Sequence, residues 1–427
     1  MKVLVVGAGG REHALSWKIS QSTLVTSVFV APGNGGTELE DHLTNVDIQA
    51  DDIEGLASFA LEQGIDLTIV GPEDPLVNGI NDRFNDLGLK CFGPSKGAAQ
   101  LEGSKEFMKD FLQRHHIPTA EYSSFSDTER AIEYVEQKGC PIVIKADGLA
   151  AGKGVTIAYT VEEAKEAIYQ SLESKVFGEA GKKIVIEEFL DGEEASFIVM
   201  TDGTNVIPFA SSQDHKALED NDKGPNTGGM GAYSPAPIVD EYVHEKIMNE
   251  IIFPTLKGLR KDGYKYCGFL YAGMMIDKNK KLKVLEFNCR FGDPETQPIM
   301  MRLKSDLASL CDQACDDNLI EQPLEWDSRK AIGVVLAARG YPHGYAKGKD
   351  ITNIPLEKDD LKIFHAGTKI ESNSLKSNGG RVLCVTSLGD SVESAQNKAY
   401  DAISEIKWED AFYRKDIGYR AIARERK

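Results

Sequence analysis

The first hundred residues alternate short apolar runs with helical patterns, and that alternation restricts this part of the chain to a parallel sheet with crossover helices. Val3–Val6, Ser27–Val30, Leu67–Val70 and Lys90–Phe92 read as strands. Each runs out into glycine or proline, as Gly7-Ala-Gly-Gly10, Pro32-Gly-Asn-Gly-Gly36, Gly71-Pro-Glu-Asp-Pro75 and Gly93-Pro94. Ligands of open parallel sheets sit at the carboxyl ends of the strands, so these turns are expected to line one crevice. A strand starting at residue 2 leaves no room for a signal peptide, and no apolar run nears the ~18 residues of a membrane span.

Gly7-Ala-Gly-Gly-Arg-Glu-His13 invites a dinucleotide reading, and two features oppose it. Glu12 stands where the fingerprint needs its third glycine, and Ala31-Pro32 stands where the second strand should end in an acid. The turn still offers backbone N–H groups and a helix N-terminus, which suit a phosphate-bearing substrate. A chain of 427 residues calls for several domains. Its formal charge of −18 excludes a phosphate-backbone binder but leaves room for a local basic pocket. Seven scattered cysteines with no C-x-x-C pair read as reduced packing residues in a cytoplasmic protein, Cys311 and Cys315 included.

Ser104 is expected to cap a helix whose apolar face is Phe107, Met108, Phe111 and Leu112, and which ends at a solvated His115-His116. Pro141 to Ala158 then reads as strand, glycine-lysine loop, strand, with Lys145 in the first strand and Gly152, Lys153 and Gly154 in the loop. The loop lacks the spacing, the Ser or Thr after Lys153 and the following helix of a P-loop, so a hairpin closing over phosphates fits better. Thr160 and Glu163 form the pattern of a capping box, as do Asp390 and Glu393. Ile184 to Phe189 is an apolar strand that leaves into Glu187, Glu188, Leu190 and Glu194. Phe197–Thr201 and Val206–Ala210 make a hairpin, and Ser211 to Pro237 follows without periodicity. The glycines of that loop, with Asp214, His215 and Lys216 at its entrance, point to a substrate loop. A helix from Glu241 to about Lys261 leads to strands at Phe269–Ile276 and Lys283–Asn288.

In the last of these strands Leu285 and Phe287 are expected to face a core while Glu286 and Asn288 share the opposite, metal-facing side. Arg290 continues that face if the strand runs on, and Gly292-Asp293-Pro-Glu295 turns the chain and adds two acids.

This order of parts resembles the ATP-grasp carboxylate–amine ligases. Arg290-Phe-Gly-Asp-Pro-Glu295, Asn226-Thr-Gly-Gly-Met-Gly231, the Gly7 to His13 turn and Tyr413-Arg-Lys-Asp-Ile-Gly-Tyr-Arg420 are similar, more closely, to the phosphoribosylamine–glycine ligase family. The resemblance covers essentially the whole chain and implies an α/β architecture in three parts. These are a Rossmann-like parallel-sheet domain over residues 1–103, an ATP-grasp domain over 104–328 with a lid at about 120–190, and a C-terminal α+β domain over 329–427.

It also implies ATP and Mg²⁺ or Mn²⁺ as cofactors, glycine and 5-phosphoribosylamine as substrates, a monomer, and no nucleic-acid or membrane partner. By the same resemblance Glu286 and Asn288 would hold the metal, while Lys105 and Lys145 contact the ATP phosphates under the lid glycines Gly152 and Gly154. Glu187, Glu188 and Leu190 would border adenine and Glu194 would take the ribose. Arg290, Lys145 and Asp293 would serve catalysis. Asp214, Lys216, Gly228 and Gly229 would border glycine and the amine, with Gly9, Gly10 and Asn34 on the ribose-phosphate side. A bicarbonate-using carboxylase component is the competing member of the superfamily. One departure stands out: the strand before Glu286 carries no acid that could supply a second metal ligand.

Overall fold

The computed structural model describes residues 1–149, 154–174 and 176–426. Among these residues the N-terminal strands form a five-stranded parallel sheet ordered Leu43–Asn45, Ser27–Pro32, Lys2–Gly7, Leu67–Val70 and Cys91–Phe92. Val3, Leu4, Val5 and Val6 are wholly buried, as a central strand covered on both faces requires. Glu12 explains why the first turn is no dinucleotide loop. Its carboxylate folds back to accept the Gly9 N–H at 2.5 Å, and a β-carbon at Gly7 (φ 127°) would run into its side chain.

The next unit is a four-stranded antiparallel sheet, Tyr122–Phe125, Ile184–Glu188, Ile142–Ala146 and Val155–Ala158, backed by the helices Thr128–Lys138 and Val161–Leu172. It has a small core of its own, built on residues such as Ile144, Ala158, Ile168 and Ile186. Ser104 caps the helix Lys105–Arg114 through the Phe107 N–H. Thr160 caps its helix as expected, but Glu163 returns to the N–H of Tyr159 rather than to the cap residue. At the other predicted box the cap is Ser391, paired with Ser394, and not Asp390 with Glu393.

A second antiparallel sheet runs in the order Val206–Pro208, Glu193–Thr201, Gly268–Ile276 and Leu282–Asn288. The helix expected over residues 241–261 is continuous, with a π-turn at Met248–Ile252. The region after Ser211 is not the structureless loop its composition suggests. Gln213–Asp214 and Gly231–Ser234 are strands, and the latter pairs with Lys330–Ala338, joining them to the sheet that contains Arg381–Gly389 and Leu361–His365. The C-terminal sheet therefore takes two of its strands from the middle of the chain.

Candidate active site

The strand Leu282–Asn288 departs from simple alternation. Glu286 stands opposite Gly273 and Val284 opposite Met274, so Leu285 is the extra residue of a β-bulge. Val284 and Phe287 are the buried pair, and Leu285 is only half-buried. Beyond the bulge the alternation holds, so Glu286 and Asn288 share one face as expected. The strand stops at Asn288, and Arg290 belongs to the turn that follows rather than to the strand's face.

Three lysines gather around Glu286. Lys216 Nζ lies 3.1 Å from Glu286 Oε1 and also pairs with Glu194. Lys145 donates to the carbonyl of Leu285 at 3.2 Å, and Lys105 donates to the carbonyl of Gly148 at 3.1 Å. Lys216 first, with Lys145 and Lys105, overcomes the effect of burial and holds the Glu286 carboxyl down at about 2. Burial lowers the Lys105 ammonium, and Glu286 opposes it. The Lys216 ammonium is pushed down by burial but lifted well above the usual lysine range by Glu194 and Glu286. Asp214 faces the same group, and burial raises its carboxyl against the pull of Lys216.

Glu187 is buried, its two carboxylate oxygens 2.9 Å from Lys109 Nζ and 3.0 Å from Lys145 Nζ. Its side chain thus binds lysines, while its backbone lies in a strand paired on both sides. Glu188 is half-exposed, pairs with Lys283 and accepts the Glu121 N–H at 3.0 Å. Leu190 is half-buried beside it. Glu194 lies across from these, on Lys216. Gly154 is buried, its carbonyl accepting the Ala146 N–H at 2.8 Å, whereas Gly152 and Lys153 lie outside the described residues.

Arg290 points to the N-terminal domain, 3.2 Å from Glu73 and 2.8 Å from Glu102. Burial pushes the Glu102 carboxyl up to about 7, while Arg290 and Arg11 outweigh burial at Glu73 and bring it down to about 2. Asp293 Oδ2 pairs with Arg381 at 3.1 Å and Oδ1 accepts from Gln297 at 3.0 Å. Gly10 packs against that same Gln297 amide, which brings the N-terminal turn to the Asp293 segment. Asn34 donates to the carbonyls of Ala8 at 2.8 Å and His365 at 2.9 Å, so its amide joins the first turn to the C-terminal domain. Alongside it, Gly33, Asn45, Thr368 and Asn378 border a cleft of about 570 Å³.

No spacing in the sequence pointed to the residues that hold the Gly228–Gly229 turn. Arg381 donates to the carbonyl of Gly228 at 2.5 Å and of Asp293 at 2.6 Å, and the Tyr341 hydroxyl accepts the Gly228 N–H at 3.1 Å. The tail motif has a mechanical role: Arg414, fully buried, reaches the Ala217 carbonyl at 3.1 Å and Asp222 at 2.9 Å. His215, expected at a loop entrance, accepts the Gly418 N–H at 2.9 Å and fastens the loop to that tail. Only the clustering of basic residues in the tail hinted at these contacts.

Among the described residues no group of three or more His, Cys, Asp or Glu forms a ready metal cage. Glu295, one candidate for a further ligand, accepts from Ser196 at 2.8 Å. A β-carbon at Gly273 would stand 3.1 Å from Glu286 Cγ, so the neighbouring strand has no room for a second acid there. One carboxylate and one amide oxygen on a common face are hard donors that fit a divalent cation sharing its remaining positions with phosphates and water.

Comparison with known proteins gives the arrangement a context. Three family models match in order: phosphoribosylglycinamide synthetase N domain over residues 1–102, its ATP-grasp (A) domain over 103–296 and its C domain over 331–420. The phosphoribosylamine–glycine ligase of Escherichia coli (strain K12) is 61% identical over 427 residues, covering 100% of both chains. The crystal structure of the Thermotoga maritima phosphoribosylamine–glycine ligase is 34% identical and superposes with a TM-score of 0.85 over 98% of this chain and 100% of that one. A biotin carboxylase from Campylobacter jejuni shares the fold at a TM-score of 0.75, with 16% identity over 97% of this chain and 93% of the other.

Proposed function

The chain belongs to the phosphoribosylglycinamide synthetase family, and from that premise we infer that it is an ATP-dependent ligase joining glycine to 5-phosphoribosylamine. The products are glycinamide ribonucleotide, ADP and phosphate, a step of purine biosynthesis. The carboxylate of glycine takes the γ-phosphoryl group of ATP, giving a glycyl phosphate. The amine then attacks the carbonyl carbon, the carbon–oxygen bond to phosphate breaks, and the amine loses a proton. A bicarbonate-using carboxylase is disfavoured, because the biotin carboxylase likeness extends to the fold alone.

The observation that carries the reading is Lys216 placed 3.1 Å from Glu286, with Lys145 on the adjoining Leu285 carbonyl and Lys105 on the Gly148 carbonyl. Phosphoryl transfer needs little beyond positioning and charge neutralisation, and these side chains supply both. Lys145 and Lys105 hold the phosphates, and Gly154 belongs to the hairpin that keeps water from the acyl phosphate. Glu286 and Asn288 would hold the divalent cation, Mg²⁺ or Mn²⁺, whose chemistry is to neutralise charge on the β- and γ-phosphates. Glu187, Glu188 and Leu190 border the base, Glu194 the ribose. Arg290 and Asp293 steady the charge that develops on the acceptor side. Asp214, Lys216, Gly228 and Gly229 border glycine and the amine, with Gly9, Gly10 and Asn34 on the ribose phosphate. The protein acts as a cytoplasmic monomer.

Glycine labelled with heavy oxygen in its carboxylate tests the intermediate. One labelled oxygen should appear in the released phosphate. Release of unlabelled phosphate during turnover would rule out a glycyl phosphate.

A further inference from the structure

Lys109 lies one helical turn beyond Lys105 and has no place in the chemistry above, yet it is wholly buried. A lysine in that position must be held by charge or hydrogen bonds, since an isolated buried ammonium is costly. Here it has two partners on different units. Its Nζ lies 2.9 Å from Glu187 Oε2 and donates at 2.8 Å to Thr119 Oγ1.

Both partners lead to the same strand. The other Glu187 oxygen is 3.0 Å from Lys145, whose ammonium donates at 3.2 Å to the carbonyl of Leu285. Thr119 in turn donates at 2.8 Å to the carbonyl of Val284. Lys109, Glu187, Lys145, the Val284–Leu285 bulge and Thr119 thus close a ring. The ring joins the lid sheet, through Ile184–Glu188 and Ile142–Ala146, to the strand that presents Glu286.

We propose that Lys109 is a positioning residue for ATP binding: by holding Glu187 on one side and Thr119 on the other, it fixes Lys145 and the bulged strand bearing Glu286 in one relative geometry. The inference rests on the ligase reading for the roles of Lys145 and Glu286. It is independent of how glycine and the amine are held. A buried ring of this kind is sensitive to the loss of one member, because the remaining charges are left unpaired.

The groups facing Lys109 from the surrounding elements are Glu187 and, further out, Glu188 on one strand, Lys145 on the next, and the ring of Tyr122 at 5.9 Å on the edge strand. Burial brings the Lys109 ammonium down to about 8 against the pull of Glu187. The ring therefore loses a charge at mildly alkaline pH, which a permanently charged arginine would not.

The test measures ATP affinity of the free protein by calorimetry, without glycine or amine, and then KM for ATP and for glycine. Lys109→Met should weaken ATP binding about tenfold or more, one tenfold step being about 1.4 kcal/mol. KM for glycine should stay within about twofold. Lys109→Arg should restore affinity and remove the weakening that the unaltered protein develops above about pH 8. Thr119→Val, which leaves every charge in place, should weaken ATP binding in the same direction by a smaller factor. Unchanged ATP affinity in folded Lys109→Met overturns the proposal. If Lys109→Met does not fold, unchanged affinity in Thr119→Val does so. Glycine-dependent ADP release by the unaltered protein reports separately on the ligase reading.

Discussion

Lys216 Nζ stands 3.1 Å from Glu286 Oε1, so one ion pair joins the segment after Ser211 to the strand Leu282–Asn288. Lys216 also pairs with Glu194, which links the same segment to the strand Glu193–Thr201. Lys216, Glu194 and Glu286 are one electrostatic unit.

Glu286→Ala removes a carboxylate from this unit. Turnover should fall by at least about a hundredfold, the scale seen when a preorganised electrostatic group is lost. The thermal midpoint should move by no more than a few degrees, because Val284 and Phe287 keep the strand in its core. Steady-state kinetics beside a thermal melt checks both halves.

Gly229 adopts a φ of 110°, and a β-carbon there would run into Pro294. Gly229→Ala should therefore displace the substrate loop and raise KM for glycine or the amine by about tenfold or more. Arg381→Met, which loses the bonds to the Gly228 and Asp293 carbonyls, should act in the same direction. KM for ATP should change least in both, as separate titrations of each substrate will show.

The N-terminal and C-terminal domains are joined through His13. The His365 N–H donates to its Nδ1 at 2.9 Å, which leaves Nε2 to carry the proton donated to Glu40 at 3.1 Å. Burial raises the Glu40 carboxyl, but hydrogen bonds from His13 and Lys362 outweigh it and hold it at about 2. With the folded value below the unfolded one, this group's stabilisation is complete above about pH 4.5 and is lost as pH falls to about 2. Denaturant titrations should show Glu40→Gln less stable than the unaltered protein near pH 6, and the gap should close towards pH 2.

All seven cysteines are free thiols. A reductant should leave the melting temperature unchanged, and a thiol count under denaturing conditions should return seven without reduction.

How far these features were legible in the sequence depended on how local their causes are. The N-terminal strands were readable because each apolar run ends at glycine or proline, and Ser104 was readable as a cap because its partner lies three residues away. Leu285 was not: in Lys283-Val-Leu-Glu-Phe-Asn288 either Val284 or Leu285 can face inward, and the choice is made by the register against Gly273 and Met274. The strands Gln213–Asp214 and Gly231–Ser234 are likewise short, and become strands only through pairing: the second with Lys330–Ala338 and the first with the second. The Glu187 ion pairs with Lys109 and Lys145 join distant segments, so no spacing rule announces them. Glu286 and Asn288 were readable because two residues of one strand face are a local fact, whereas Arg381 entered the site only through tertiary packing.

The most direct test of the central claim is ADP release by the purified protein with ATP and a divalent cation, comparing glycine plus 5-phosphoribosylamine, glycine alone, and bicarbonate. Rapid release is expected only when glycine and the amine are both present, and should be lost in Glu286→Ala. Release driven by bicarbonate and indifferent to glycine would contradict it.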